Sequence, residues 1–80
     1  MINWEPERPI WEQVAEIIQR RIEDGTYPPR TPIPSVERLQ QEFEVGRNTA
    51  RHVVKHLADE GFVRPVPSLG TFVLPRADEE

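Results

Sequence analysis

Four residues at the start of one helical stretch, Arg47, Asn48, Thr49 and Arg51 of the run GRNTARHVVKHL, carry the side chains best suited to reading a nucleic acid. A guanidinium can bind guanine through two acceptors, a carboxamide can do the same for adenine, and a hydroxyl can donate to a phosphate oxygen. Lys55 extends the series, so that Arg47, Arg51 and Lys55 stand four apart and form one cationic stripe along a helix. Successive helical residues turn by about 100°. With Ala50, Val54 and Leu57 turned inward, Arg47 lies on the flank, Arg51 and Lys55 rotate outward, and Asn48 and His52 sit near the centre of the exposed face.

A stripe of this kind on an arbitrary surface helix is a solvated face; its meaning depends on the elements that position it. Upstream, Ile10, Val14, Ile17, Ile18 and Ile22 recur at helical spacing between Pro9 and Asp24, with Gly25 as the stop. The segment TYPPRTPIP, residues 26–34, excludes helix through its four prolines. It reads either as a proline-rich ligand for an SH3-type partner or, the reading favoured here, as a rigid connector with one short extended segment around Ile33. Ser35 then caps a short helix carrying Val36, Leu39 and Phe43 on one face. Glu44-Val45-Gly46 interrupts it, and Ala50, Val53, Val54 and Leu57 resume the periodicity until Gly61. FVRPV (62–66) and TFVL (71–74) flank Pro67-Ser68-Leu69-Gly70 as a hairpin. The expected class is mainly α with a small β-hairpin (α+β). Its order is helix, strand, short helix, tight turn, helix and two strands: a winged helix-turn-helix with the cations on the second helix of the pair. Residues 1–8 are expected to form an N-terminal arm, 9–74 the domain, and 75–80 an acidic tail.

The composition narrows the alternatives. Eighty residues suffice for one small domain. There is no cysteine for a disulfide or a thiolate metal site. No apolar run approaches the roughly 20 residues of a bilayer span, and MINWEPERP lacks the basic start and apolar stretch of a signal peptide, so a cytoplasmic location is expected. The formal net charge of −4 opposes phosphate binding, but the acids are unevenly placed. Between Val45 and Arg76 the cations Arg47, Arg51, Lys55, Arg64 and Arg76 face only Asp59 and Glu60. His52 and His56 have the spacing of a two-histidine metal site but no third ligand nearby, and they read as surface or phosphate-facing side chains. No nucleophile–base set or glycine-rich phosphate loop stands out, so neither catalysis nor a cofactor is expected.

Three stretches, PIWEQVAEIIQRRIEDGTYPP, IPSVERLQQEFEVGRNTARHVVKHLADEGFV and GTFV, together resemble the N-terminal DNA-binding domain of the GntR family of bacterial transcription regulators. The resemblance implies a winged helix that binds operator DNA, usually as a homodimer. It implies DNA contacts from Arg47, Asn48, Thr49 and Arg51, with Ser35 approaching a phosphate; Lys55 and Arg64 are further candidates for positioning the backbone. Several positions depart from the family pattern. Glu37 stands where many members carry a DNA-contacting arginine, with Arg38 one step on. Glu44 replaces the turn glycine, Gly46 replaces the Ser or Thr that opens the recognition helix, and the wing tip lacks basic residues. Members continue into a larger C-terminal domain that binds an effector and provides the dimer interface. This chain stops soon after the wing, so no small-molecule response is expected from it alone. The expected function is a sequence-specific regulator, most simply a repressor; the alternative is a winged-helix protein-interaction module with little DNA affinity.

Overall fold

The computed structural model describes residues 4–75; the expected acidic tail beyond Pro75, and Arg76 with it, lies outside the described residues. Helix α1 runs Ile10–Glu23, α2 Val36–Phe43 and α3 Arg47–Asp59, followed by strands β1, Val63–Val66, and β2, Gly70–Val73. The helix boundaries follow from local chemistry. Pro9 stands at the N-cap of α1. The Ser35 hydroxyl accepts the Arg38 amide at 3.2 Å and so caps α2. Gly61, at φ +84°, closes the turn beyond α3.

The apolar stripes of the three helices meet in one core of Val14, Ala15, Ile18, Ile22, Leu39, Phe43, Ala50, Val53 and Leu57, which Ile33, Val63 and Val73 complete from the sheet side. Helix α3 is rolled slightly relative to the sequence expectation. Val53, not Val54, is fully buried, and this roll turns Thr49 and His56 into half-buried flank positions.

Two strands form, where three were expected. β1 and β2 pair antiparallel in the register Val63↔Val73 to Val66↔Gly70, and the segment near Ile33 contributes a single bridge, Pro32↔Phe72. The cause is the absence of donors at Pro32 and Pro34: the ladder is limited to Ile33 N–H to Thr71 O (2.9 Å), Val73 N–H to Thr31 O (2.9 Å) and Arg30 N–H to Val73 O (2.8 Å). The proline-rich connector is thus laid along the free edge of β2, with Ile33 buried beneath it. Residues 4–8 also lie against the domain. Trp4 packs on Phe43 with ring centroids 6.4 Å apart, and the Gln13 carboxamide, buried, accepts the Glu5 amide at 2.7 Å and donates to the Glu5 and Arg8 carbonyls.

The turn between α2 and α3 fixes their relative setting. Glu44 occupies the left-handed region, φ 54° and ψ 47°, with its amide donating back to the Gln40 carbonyl. A residue with a Cβ is strained there by roughly 1–2 kcal/mol, against which glycine loses more freedom on folding. Glu44→Gly is therefore expected to stabilise the domain by about 0.5–1 kcal/mol, a rise of a few degrees in the thermal midpoint. A lower midpoint in a calorimetric scan would contradict the strain assigned to this turn.

Candidate nucleic-acid interface

The first turn of α3 begins at Gly46, whose extended backbone (φ −75°, ψ 167°) fits an N-cap, though it has no side chain to accept an amide. The leading N–H groups of α3 are therefore left without a side-chain cap at the end where Arg47 and Asn48 stand exposed. A Cβ built on Gly46 meets nothing within 4 Å. Gly46→Ser is accordingly expected to fold as well as the parent, with a few tenths of a kcal/mol gained from the cap. The added hydroxyl should also raise affinity for duplex DNA about twofold to fivefold through a new phosphate contact, which an anisotropy titration would measure.

Arg47, Asn48 and Arg51 are all exposed, and none has a hydrogen-bonding or ionic partner among the described residues. Thr49, next to them in the first turn of α3, is half-buried. Lys55 lies a turn further on and is bound to Asp59 at 3.0 Å; with both ends exposed, such a pair is worth well under ~1 kcal/mol and the ammonium is readily re-aimed. Arg64 is exposed on β1, opposite Phe72, and Ser35 stands at the opening of α2. The structure therefore brings Arg47, Asn48 and Arg51 together on one helix end, with Thr49 beside them. Ser35 and Arg64 stand on other elements, the N-cap of α2 and strand β1.

Two arginines away from this face are held by carboxylates, whereas Arg20 and Arg30 are exposed and have no ion pair among the described residues. The Arg8 guanidinium is gripped by Glu5 (2.8 Å), Glu12 (2.7 Å) and Glu16, and it holds the Glu16 carboxyl below the usual carboxylate range. Arg21 pairs with Glu42 at 2.6 Å, donates to the Tyr27 hydroxyl at 2.7 Å, and lies 5.5 Å from the Phe43 ring centroid, tying the end of α1 to the end of α2. These two arginines serve the fold.

Two features of the site were missed in the sequence. Arg38 shares an open hollow with Ser35, Tyr27, Pro32, Ile33 and Pro34 at the start of α2, so a cation does stand beside the serine although Glu37 fills the family's arginine position. The signal was present in the sequence: Arg38 is three residues past the cap, where a first-turn side chain flanks the capping hydroxyl. The histidines are the second. His52 is exposed, but its ring stacks on Trp11 at 4.0 Å between centroids and 22° between planes, while His56 meets the same indole edge-on at 5.1 Å.

A second helix carrying unpartnered arginines at its free end, set by a tight turn against a short capped helix and backed by a hairpin, defines a winged helix-turn-helix, a DNA-binding class of domain. The chain belongs to the gntR family of bacterial regulatory proteins, whose sequence model matches residues 10–73. It is 38% identical over 65 residues to YieP, an uncharacterized HTH-type transcriptional regulator of Escherichia coli, covering 81% of this chain and 28% of that protein. It is 32% identical over 72 residues to the HTH-type transcriptional repressor NagR of Bacillus subtilis, covering 90% of this chain and 30% of that one. Among solved structures, the DNA-binding domain of AraR in complex with operator ORX1 superposes with a TM-score of 0.83 at 33% identity, covering 90% of this chain and 92% of that one. The chain spans about three-tenths of the length of the curated relatives it matches.

Proposed function

We propose that residues 9–74 form the operator-binding domain of a bacterial transcription repressor. In this reading α3 enters the major groove. Arg47, Asn48 and Arg51 meet base edges, and Thr49, Lys55, Arg64, Ser35 and Arg38 meet the phosphates on either side. The observation that carries it is the clustering of Arg47, Asn48 and Arg51, all exposed and without a side-chain partner among the described residues, at the free end of the second helix of the helix-turn-helix. Repression by occupying an operator is supported by relatives named as repressors, NagR and the histidine utilization repressors, and by the operator complexes of the AraR domain. Binding as a homodimer to two half-sites follows the usual logic of operators read by helix-turn-helix domains. The domain acts as a binding module without a reaction of its own, in the cytoplasm, where a bacterial chromosome lies; no described helix is long and apolar enough to cross a membrane.

Salt separates this function from that of a protein-interaction module on the same scaffold. Three cationic phosphate contacts, Lys55, Arg64 and Arg38, imply a slope of log K against log salt near −3, hence a loss of about fortyfold in affinity between 50 and 200 mM salt. A duplex affinity that hardly moves over that range would contradict the proposal.

A further inference from the structure

Trp11 and the α3 histidines lie beside the proposed DNA face and have no part in the contacts assigned so far. His52 is adjacent to Arg51 in sequence and one helical turn from Asn48, and it is exposed with them. Stacked on the half-buried Trp11 indole, its imidazole is held in one orientation at the margin of α3 that faces α1. His56, half-buried and edge-on to the same indole, braces Trp11 from the next turn. Stacking uses one face of the His52 ring and leaves both nitrogens, which sit on the ring edge, free to donate. A protonated imidazole in this position can donate to a phosphate oxygen.

The charged groups on the two packed elements leave this role open. On the α1 side Arg8 is saturated by Glu5, Glu12 and Glu16; on α3 the neighbours are Arg51 and Lys55, the latter bound to Asp59. None of these is hydrogen-bonded to His52 among the described residues. We infer that His52 is a further phosphate-contacting residue of the DNA interface and that Trp11 is the positioning residue that aims it. The inference rests on the DNA-binding reading above. Its consequence has a definite sign: a phosphate oxygen favours the protonated imidazole, so binding tightens as pH falls.

The test is anisotropy titration of the intact chain with a fluorescent duplex enriched from a random pool, at pH 6 and pH 8 and fixed ionic strength. The parent should bind about fivefold more tightly at pH 6. His52→Gln should lose that gain and, at pH 6, reduce the salt slope by about 1. His52→Arg should restore tight binding without the pH dependence. Trp11→Leu should flatten the pH profile with its fold checked by circular dichroism, and Trp11→Phe, which keeps a stacking surface, should retain it. A His52→Gln variant that keeps the parent's pH profile and salt slope overturns the inference, as does a folded Trp11→Leu variant with an unchanged profile. A parent that binds no duplex at either pH removes the DNA-binding reading and this inference together, whereas a parent that binds normally beside an unchanged His52→Gln removes this inference alone.

Discussion

Replacing Arg47 and Arg51 together by alanine is expected to weaken binding to the preferred duplex by at least about 30-fold, since each bidentate guanidinium contact is worth about 1–3 kcal/mol of discrimination. The loss should be unequal. An unrelated duplex, bound through phosphates by Lys55, Arg64 and the start of α2, should suffer far less, so the ratio of specific to non-specific affinity collapses. Thermal stability should stay within about 0.5 kcal/mol of the parent, because both side chains are exposed and make no hydrogen bond or ion pair among the described residues. Paired titrations against the two duplexes, with a melting curve for each variant, measure all three quantities. A double variant that discriminates as the parent does would move the recognition surface away from α3.

Leu57→Ala is expected to do the opposite. Leu57 is fully buried in the core, and its carbonyl accepts the Phe62 amide at 2.9 Å where the chain leaves α3 for the hairpin. Truncation removes buried methyl groups and leaves a cavity, a cost of about 2–5 kcal/mol. A domain of this length has roughly 4–12 kcal/mol of stability in total, so the variant should melt more than about 10 °C below the parent. It should bind DNA normally in proportion to the fraction that is folded. Leu69, 71% exposed at the tip of the hairpin, is the matched control: its truncation should change stability by less than about 0.5 kcal/mol. Denaturant titration of the two variants side by side checks the contrast. Equal losses would mean that the core is not organised around α3 as described.

Much of this architecture is written locally and is therefore readable without coordinates. The apolar spacing of Val14, Ile18 and Ile22, the serine before Val36, the glycine after α3 and the turn residues before Gly70 each specify their element through nearest neighbours in the chain. The left-handed backbone of Glu44, φ 54°, stands at the turn position where the family resemblance places a glycine, so it is legible through the resemblance and not through local chemistry. The exposed face with Arg47, Asn48 and Arg51 needed only helical periodicity and a boundary.

What could not be read depends on contacts between distant segments. The sequence places His52 and His56 on the surface, but their shared partner, Trp11, comes from α1 and is not visible from the helix alone. The small roll of α3 that buries Val53 ahead of Val54 is set by packing against α1 and the hairpin, since both residues fit either position. The third strand was expected from the short extended segment around Ile33, yet prolines on both sides of Ile33 reduce it to one bridge. The pairing of Arg21 with Glu42 likewise joins two helices across the connector, and no local pattern announces it.

The most direct measurement is selection of binding sites by this chain from a pool of random duplexes at near-physiological salt, followed by sequencing of the retained DNA. Sequence-specific recognition through α3 predicts one enriched motif, arranged as an inverted repeat if the bound form is a dimer, and predicts that the Arg47→Ala, Arg51→Ala variant enriches nothing from the same pool. A retained pool indistinguishable from the input, for a chain shown to be folded, would contradict operator recognition by this domain.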